Sequence, residues 1–187
     1  METRKLELKD IAGYLPYKPY CITRGGSIFI IEGFKVNRTY DKSRELSPLL
    51  QLRTNNVWNE SFSHTVENIK IILRPLSDLY KPITHNGKEI VPIVELAKIC
   101  DKHKDWMLGN KCAVCSISNY HFRYDYGFML SEIKAAGDVD YVSNQYQLFD
   151  YLHELKIDYR GLIKAGLAID ANTLDINPYK RLKYEKK

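Results

Sequence analysis

No stretch of this 187-residue chain approaches the ~20 consecutive apolar residues that a membrane-crossing helix needs, so no membrane partner is expected. The opening residues Met1-Glu2-Thr3-Arg4-Lys5-Leu6-Glu7 hold no apolar signal region, which points to a cytoplasmic protein. Without a secretory signal, the triplets Asn37-Arg38-Thr39 and Asn59-Glu60-Ser61 are chance matches to glycosylation acceptors. A Walker-type phosphate loop and a Gly-x-Gly-x-x-Gly turn are both missing, and nucleotide chemistry has no support. Nucleophile-elbow and zinc-protease motifs are missing as well. There is no internal repeat, heptad run or low-complexity linker. Cysteine is limited to four residues, expected to be reduced in a cytoplasm.

What remains is an ordinary apolar content of 44%, enough for one well-filled core. Residues 1–177 are expected to form a single α+β domain, with 178–187 as a basic tail. The tail holds five basic residues and one acidic, whereas residues 1–177 hold 23 basic and 22 acidic. Lys180, Arg181 and Lys183 are its candidate contacts to phosphate; a solvated end has the same composition. Tyrosine is abundant at 14 residues, and its ring with a polar tip suits half-buried and interface positions.

Along the chain, Leu6–Tyr14 reads as a short helix or turn ended by Gly13, and Pro16 and Pro19 keep the next residues extended. Strands are predicted over 27–36, 49–53 and 68–74, with 54–65 as an exposed loop. Asn86-Gly87 supplies the positive φ angles of a tight hairpin between 81–85 and 88–92. Pro92 suits the first turn of a helix near 92–103, with Ile93, Leu96, Ala97 and Cys100 on one face. Helix is also predicted near 144–166, with Leu148, Phe149, Leu152 and Leu155 as a buried stripe. A short second helix over 159–165 is expected to stop at Gly166. Strands dominate the first two-thirds without βαβ alternation, which predicts an α+β fold on a mainly antiparallel sheet.

Residues 120–128 read as one strand with two unlike faces. Tyr120, Phe122, Tyr124, Tyr126 and Phe128 fall on one side, His121, Arg123 and Asp125 on the other. The aromatic row is either the wall of a core or a platform for flat ligands, and Tyr120, Phe122, Tyr124 and Tyr126 are the candidate contacts to a partner or nucleic acid. The polar trio can do acid–base work only in a cleft, and no nucleophile in a recognisable setting accompanies it.

Cys112-Ala113-Val114-Cys115 with Cys100-Asp101-Lys102-His103 has the ligand count of a tetrahedral zinc site, formed by Cys100, His103, Cys112 and Cys115. Against this, Cys100 also completes an apolar helix face as a core cysteine does. Zinc is therefore the one cofactor the sequence raises, beside the reading that none is bound.

The blocks Leu8–Tyr17, Leu73-Arg74-Pro75-Leu76-Ser77-Asp78-Leu79, Gly161–Asp170, Asn172–Leu174 and Asn177-Pro178-Tyr179 resemble a family of small uncharacterised proteins from phages, prophages and mobile elements of gut anaerobic bacteria. The resemblance skips residues 20–65 and 100–120 and carries no catalytic or cofactor residue over by position. It implies an accessory protein working in a bacterial host cytoplasm rather than a housekeeping enzyme. The expected function is a non-enzymatic adaptor domain that binds a protein partner. The alternatives are nucleic-acid binding through the aromatic strand and basic tail, and a small zinc-binding protein.

Overall fold

Asn86 and Gly87 adopt φ of 50° and 78°, so the tight turn predicted from this dipeptide is formed between β6 (Ile83–His85) and β7 (Lys88–Ile90). It lies within a computed structural model that describes residues 4–37, 47–53, 61–101, 105–118, 120–125, 127–132 and 139–180. Before it come α1 (Leu8–Ile11), β1 (Tyr20–Thr23), β2 (Ile28–Asn37), β3 (Ser47–Arg53), β4 (Ser61–Thr65) and β5 (Ile69–Pro75). After it come α2 (Pro92–Cys100), β8 (Trp106–Gly109), β9 (Cys112–Cys115), β10 (Tyr120–Tyr124), β11 (Phe128–Glu132) and β12 (Val139–Tyr141). The chain then runs through α3 (Gln145–Leu155), β13 (Ile157–Asp158) and β14 (Ala168–Asp170). The fold is α+β, and its strand pairing is mostly antiparallel, with β14 parallel to β5. No described helix is long and apolar enough to cross a membrane.

The chain divides into two compact units, Met1–Pro75 with Asp158–Pro178, and Leu76–Ile157 with Tyr179–Lys187. In the first, the strand order is β13-β5-β1-β2-β3-β4, with β14 parallel on β5. Ile71, Ile72 and Leu73 are all buried, as befits a central strand covered on both faces. Cys21 of β1 stands opposite Ile71 and packs with Ile11, Tyr14, Ile31 and Leu52. Three expectations are corrected here. Gly13 does not end the first helix: α1 passes into a 3₁₀ turn over Ala12–Tyr17 that contains Pro16, because burying Ile11 and Tyr14 outweighs the weak glycine stop. Residues 61–65 form a strand, since β3 offers an edge with Leu50 opposite His64 and Leu52 opposite Phe62. Residues 159–165 form turns instead of a helix. Gly161 at φ 73° leaves the helical region, and the Asp158 carboxylate accepts from the N–H groups of Leu162 (2.9 Å) and Ile163 (2.8 Å). Gly166 still acts as the stop: its N–H donates to Ile163 and that of Leu167 donates to Leu162.

In the second unit, β12-β11-β10-β9-β8 is an antiparallel meander. Pro92 opens α2, which buries Ile93, Leu96 and Ala97. That helix ends at Cys100, earlier than the 103 expected, as Asp101 turns extended. α3 buries Leu148, Leu152 and Leu155, and Phe149 is half-buried against Phe128. It stops at Leu155, not 166, where Lys156 takes a left-handed conformation at φ 59°.

Candidate functional site

The segment 120–128 is a hairpin, not the single strand its alternation predicts. β10 pairs with β11 so that Tyr124 faces Phe128 and Phe122 faces Leu130, and the Asp125 N–H donates to the Gly127 carbonyl at 2.8 Å. Asp and Gly are turn formers, and three residues suffice to reverse the chain. Gln145, the first residue of α3, holds the mouth of this hairpin. Its side-chain oxygen accepts from the Phe128 N–H (2.9 Å) and its amide donates to the Phe128 carbonyl.

Ladder partners share a face, so Tyr120, Phe122, Tyr124 and Phe128 still line one side of the sheet. That side is interior wall. Phe122 and Phe128 are fully buried and stack at 5.4 Å, and Trp106 and Phe149 close on them edge-on. Tyr120 and Tyr124 are half-buried, and Tyr124 tilts against Phe128 at 5.2 Å. Rings packed in this way offer no open platform for bases. Tyr126 lies outside the described residues, as do Arg181, Lys183 and His103; Lys180 is exposed.

The opposite side of the same sheet carries the candidate site. Arg123 lies across from Met129, which lies across from Tyr141 of β12, so the register sets three unlike side chains in one row. With Tyr80, Lys111 and Asp125, and with Tyr124 of the inner face at the turn end of β10, they line a pocket of about 490 Å³. Arg123 donates to the Ser131 hydroxyl at 3.2 Å, which fixes the guanidinium along the sheet. Tyr141 is 67% exposed, and a Cβ at Gly127 would stand 3.4 Å from its ring. The ring therefore lies close against the backbone of the β10–β11 turn. Lys111 reaches the rim from the β8–β9 turn, at φ 53°.

Burial raises the Tyr80 hydroxyl pKa, and the Cys112 thiol and the Asp125 carboxylate raise it further. Burial also raises Cys112, against an opposing pull from Arg123. Tyr80 and Cys112 therefore stay protonated at neutral pH, leaving Arg123, Lys111 and Asp125 as the charges of the pocket. The pocket gathers two cations and one carboxylate around tyrosine rings and a soft methionine. His121 is one rung away, across from Val114 and Ser131, and is not among the lining residues.

Three of the four candidate zinc ligands, Cys100, Cys112 and Cys115, lie among the described residues. Cys112 and Cys115 sit on β9, three residues apart, so the strand directs their side chains to opposite faces. Both are buried and Cys100 is half-buried at the end of α2. Among the described residues, no group of three or more His, Cys, Asp and Glu side chains is gathered to hold a metal ion.

Sequence reasoning singled out Arg123, Tyr124 and Asp125 but missed Tyr80, Lys111, Met129 and Tyr141. These four come from four separate segments: strand register joins Met129 to Tyr141, whereas Tyr80 and Lys111 come in from turns, so only the tertiary fold brings them together. No protein-family model, curated protein or solved structure matches this chain. The resemblance to phage and mobile-element proteins accordingly rests on the sequence blocks quoted for it.

Proposed function

We propose that the chain is a non-enzymatic adaptor, an accessory protein of a phage or mobile element, that docks a protein partner on the outer face of the β8–β12 sheet. The pocket takes an apolar or aromatic anchor of the partner, with a carboxylate beside it drawn to Arg123 and Lys111. The observation that carries this reading is Tyr141, 67% exposed at the edge of a pocket shared with Arg123 and Met129. Tyr, Arg and Met are the side chains most enriched where proteins bind one another, and a rigid ring beside a concavity is the usual form of an interface hot spot. The inner rings of the sheet support the module by holding this face in place.

A photo-reactive phenylalanine analogue at position 141 tests the proposal in the bacterium that carries the chain. A discrete cross-linked protein adduct is expected from position 141 and not from position 146, whose tyrosine is 84% exposed on α3. Arg123→Ala should abolish the adduct. Equal labelling from both positions, or an adduct indifferent to Arg123→Ala, overturns it.

A further inference from the structure

The first unit contains a second concavity, of about 380 Å³, that the adaptor reading does not use. Its lining is aliphatic: Leu6, Ile69 and Leu167 are buried, and Ile22 is half-buried. Its rim carries Arg4, Lys5, Arg24 and Lys70 against a single acid, Glu67. Residues 1–177 are almost neutral, with 23 basic and 22 acidic residues, so a local excess of three positive charges is a concentration, not a sample of the surface.

The ion pairs divide these cations into two kinds. Arg4 is held by Asp10, and Lys5 by Glu67 at 3.2 Å. Arg24 and Lys70 are exposed and enter no ion pair among the described residues. They are also well placed. Lys70 lies directly across the β1–β5 ladder from Ile22, so a cation and a lining residue share one face, and Arg24 follows β1 by one residue. Like charges gathered beside apolar surface repel one another unless an anion joins them. Among the described residues no aromatic ring lines this groove, which disfavours nucleobases: single-stranded nucleic acid is held by stacking as well as by charge. The volume lies in the range of small-molecule sites, which runs from about 300 to 1,000 Å³.

We infer that this groove binds an aliphatic carboxylate of medium chain length. The hydrocarbon lies on Leu6, Ile22 and Leu167, and the carboxylate is taken by Arg24 and Lys70. The guanidinium donates two N–H groups to it side-on and the ammonium adds a point charge.

Titration calorimetry on the full chain tests this with octanoate, inorganic phosphate and a thymidine octanucleotide as probes. Octanoate is expected to bind saturably with one site per chain, and phosphate not to bind at the same concentrations. The Arg24→Ala/Lys70→Ala double variant should weaken octanoate about tenfold or more, since it removes both charges that pair with the head group. Both side chains are exposed, so the variant should fold, and an unchanged melting temperature checks that. Lys164→Ala, an exposed cation outside the groove, should leave affinity unchanged. Phosphate binding as tightly as octanoate would show a site for charge alone. Tighter binding of the oligonucleotide would show a polyanion surface. Either result, or no saturable octanoate binding, overturns the assignment.

Discussion

Gly109 shows how much a single missing atom can decide. A Cβ there would stand 2.5 Å from Val114 Cγ2 and 3.0 Å from the Cys112 sulfur. Val114 is short and β-branched, so it cannot swing aside without leaving its rotamer. Gly109→Ala is therefore expected to destabilise the protein by about 1–3 kcal/mol, the usual cost of overpacking, read as a lower melting temperature. Valine at 114 cut back to alanine in the same chain should recover part of the loss. The constraint comes from the cross-strand neighbours, and these were not legible until β8 and β9 were paired.

At the scale of elements, what could be read was what is local. Asn86-Gly87 sets a turn by its own backbone preferences, and Pro92 starts a helix by its own fixed φ, so both were legible without any partner. The aromatic hairpin was not, and the reason is parity. Tyr124 and Phe128 face each other across a three-residue link, so even-numbered positions stay on one face before and after the turn. Alternation runs on unbroken through the reversal, and periodicity cannot tell a hairpin from a long strand; Asp125 and Gly127 were the only marks of the turn. The same turn depends on α3 through Gln145. Gln145→Ala would leave the Phe128 N–H without its side-chain acceptor, while the carbonyl keeps the Val142 N–H at 3.3 Å. The expected cost is about 1–3 kcal/mol, that of one unsatisfied buried donor. Gln145→Glu, which can still accept from that N–H but cannot donate to the carbonyl, should fall between wild type and alanine in chemical denaturation. Equal stability for all three would mean that the clamp adds nothing to the hairpin.

For the molecule as a whole, the two units share a vulnerability that composition does not display. The chain passes between them at Pro75/Leu76, at Ile157/Asp158 and at Pro178/Tyr179, and no Gly- or Ser-rich stretch marks any of the three crossings. Each unit buries a weak acid in its neutral form. In the first, burial pushes the Cys21 thiol from 9.0 up to about 12. In the second, burial, followed by the Glu95 and Glu154 carboxylates, pushes the Tyr151 hydroxyl from 10.0 up to about 12. Both groups hold their protons more tightly when folded than when unfolded. Their contribution is thus complete below the unfolded pKa and disappears as the pH climbs through the folded one. The melting temperature is expected to be flat from about pH 7 to 8.5 on account of these groups and to fall above about pH 9. Cys21, joined by the raised Cys112 thiol, sets the first part of the fall, and its one proton adds a slope of at most about 1.4 kcal/mol per pH unit. Tyr151 joins it once the pH passes the unfolded tyrosine value of 10.0. Circular dichroism melts across this range separate the two. Cys21→Ala should flatten the slope between about pH 9 and 10, and Tyr151→Phe, which keeps the ring beside His85, should flatten it only above that. A wild-type melting temperature that stays level through the whole alkaline range would mean that neither group is held neutral by its burial.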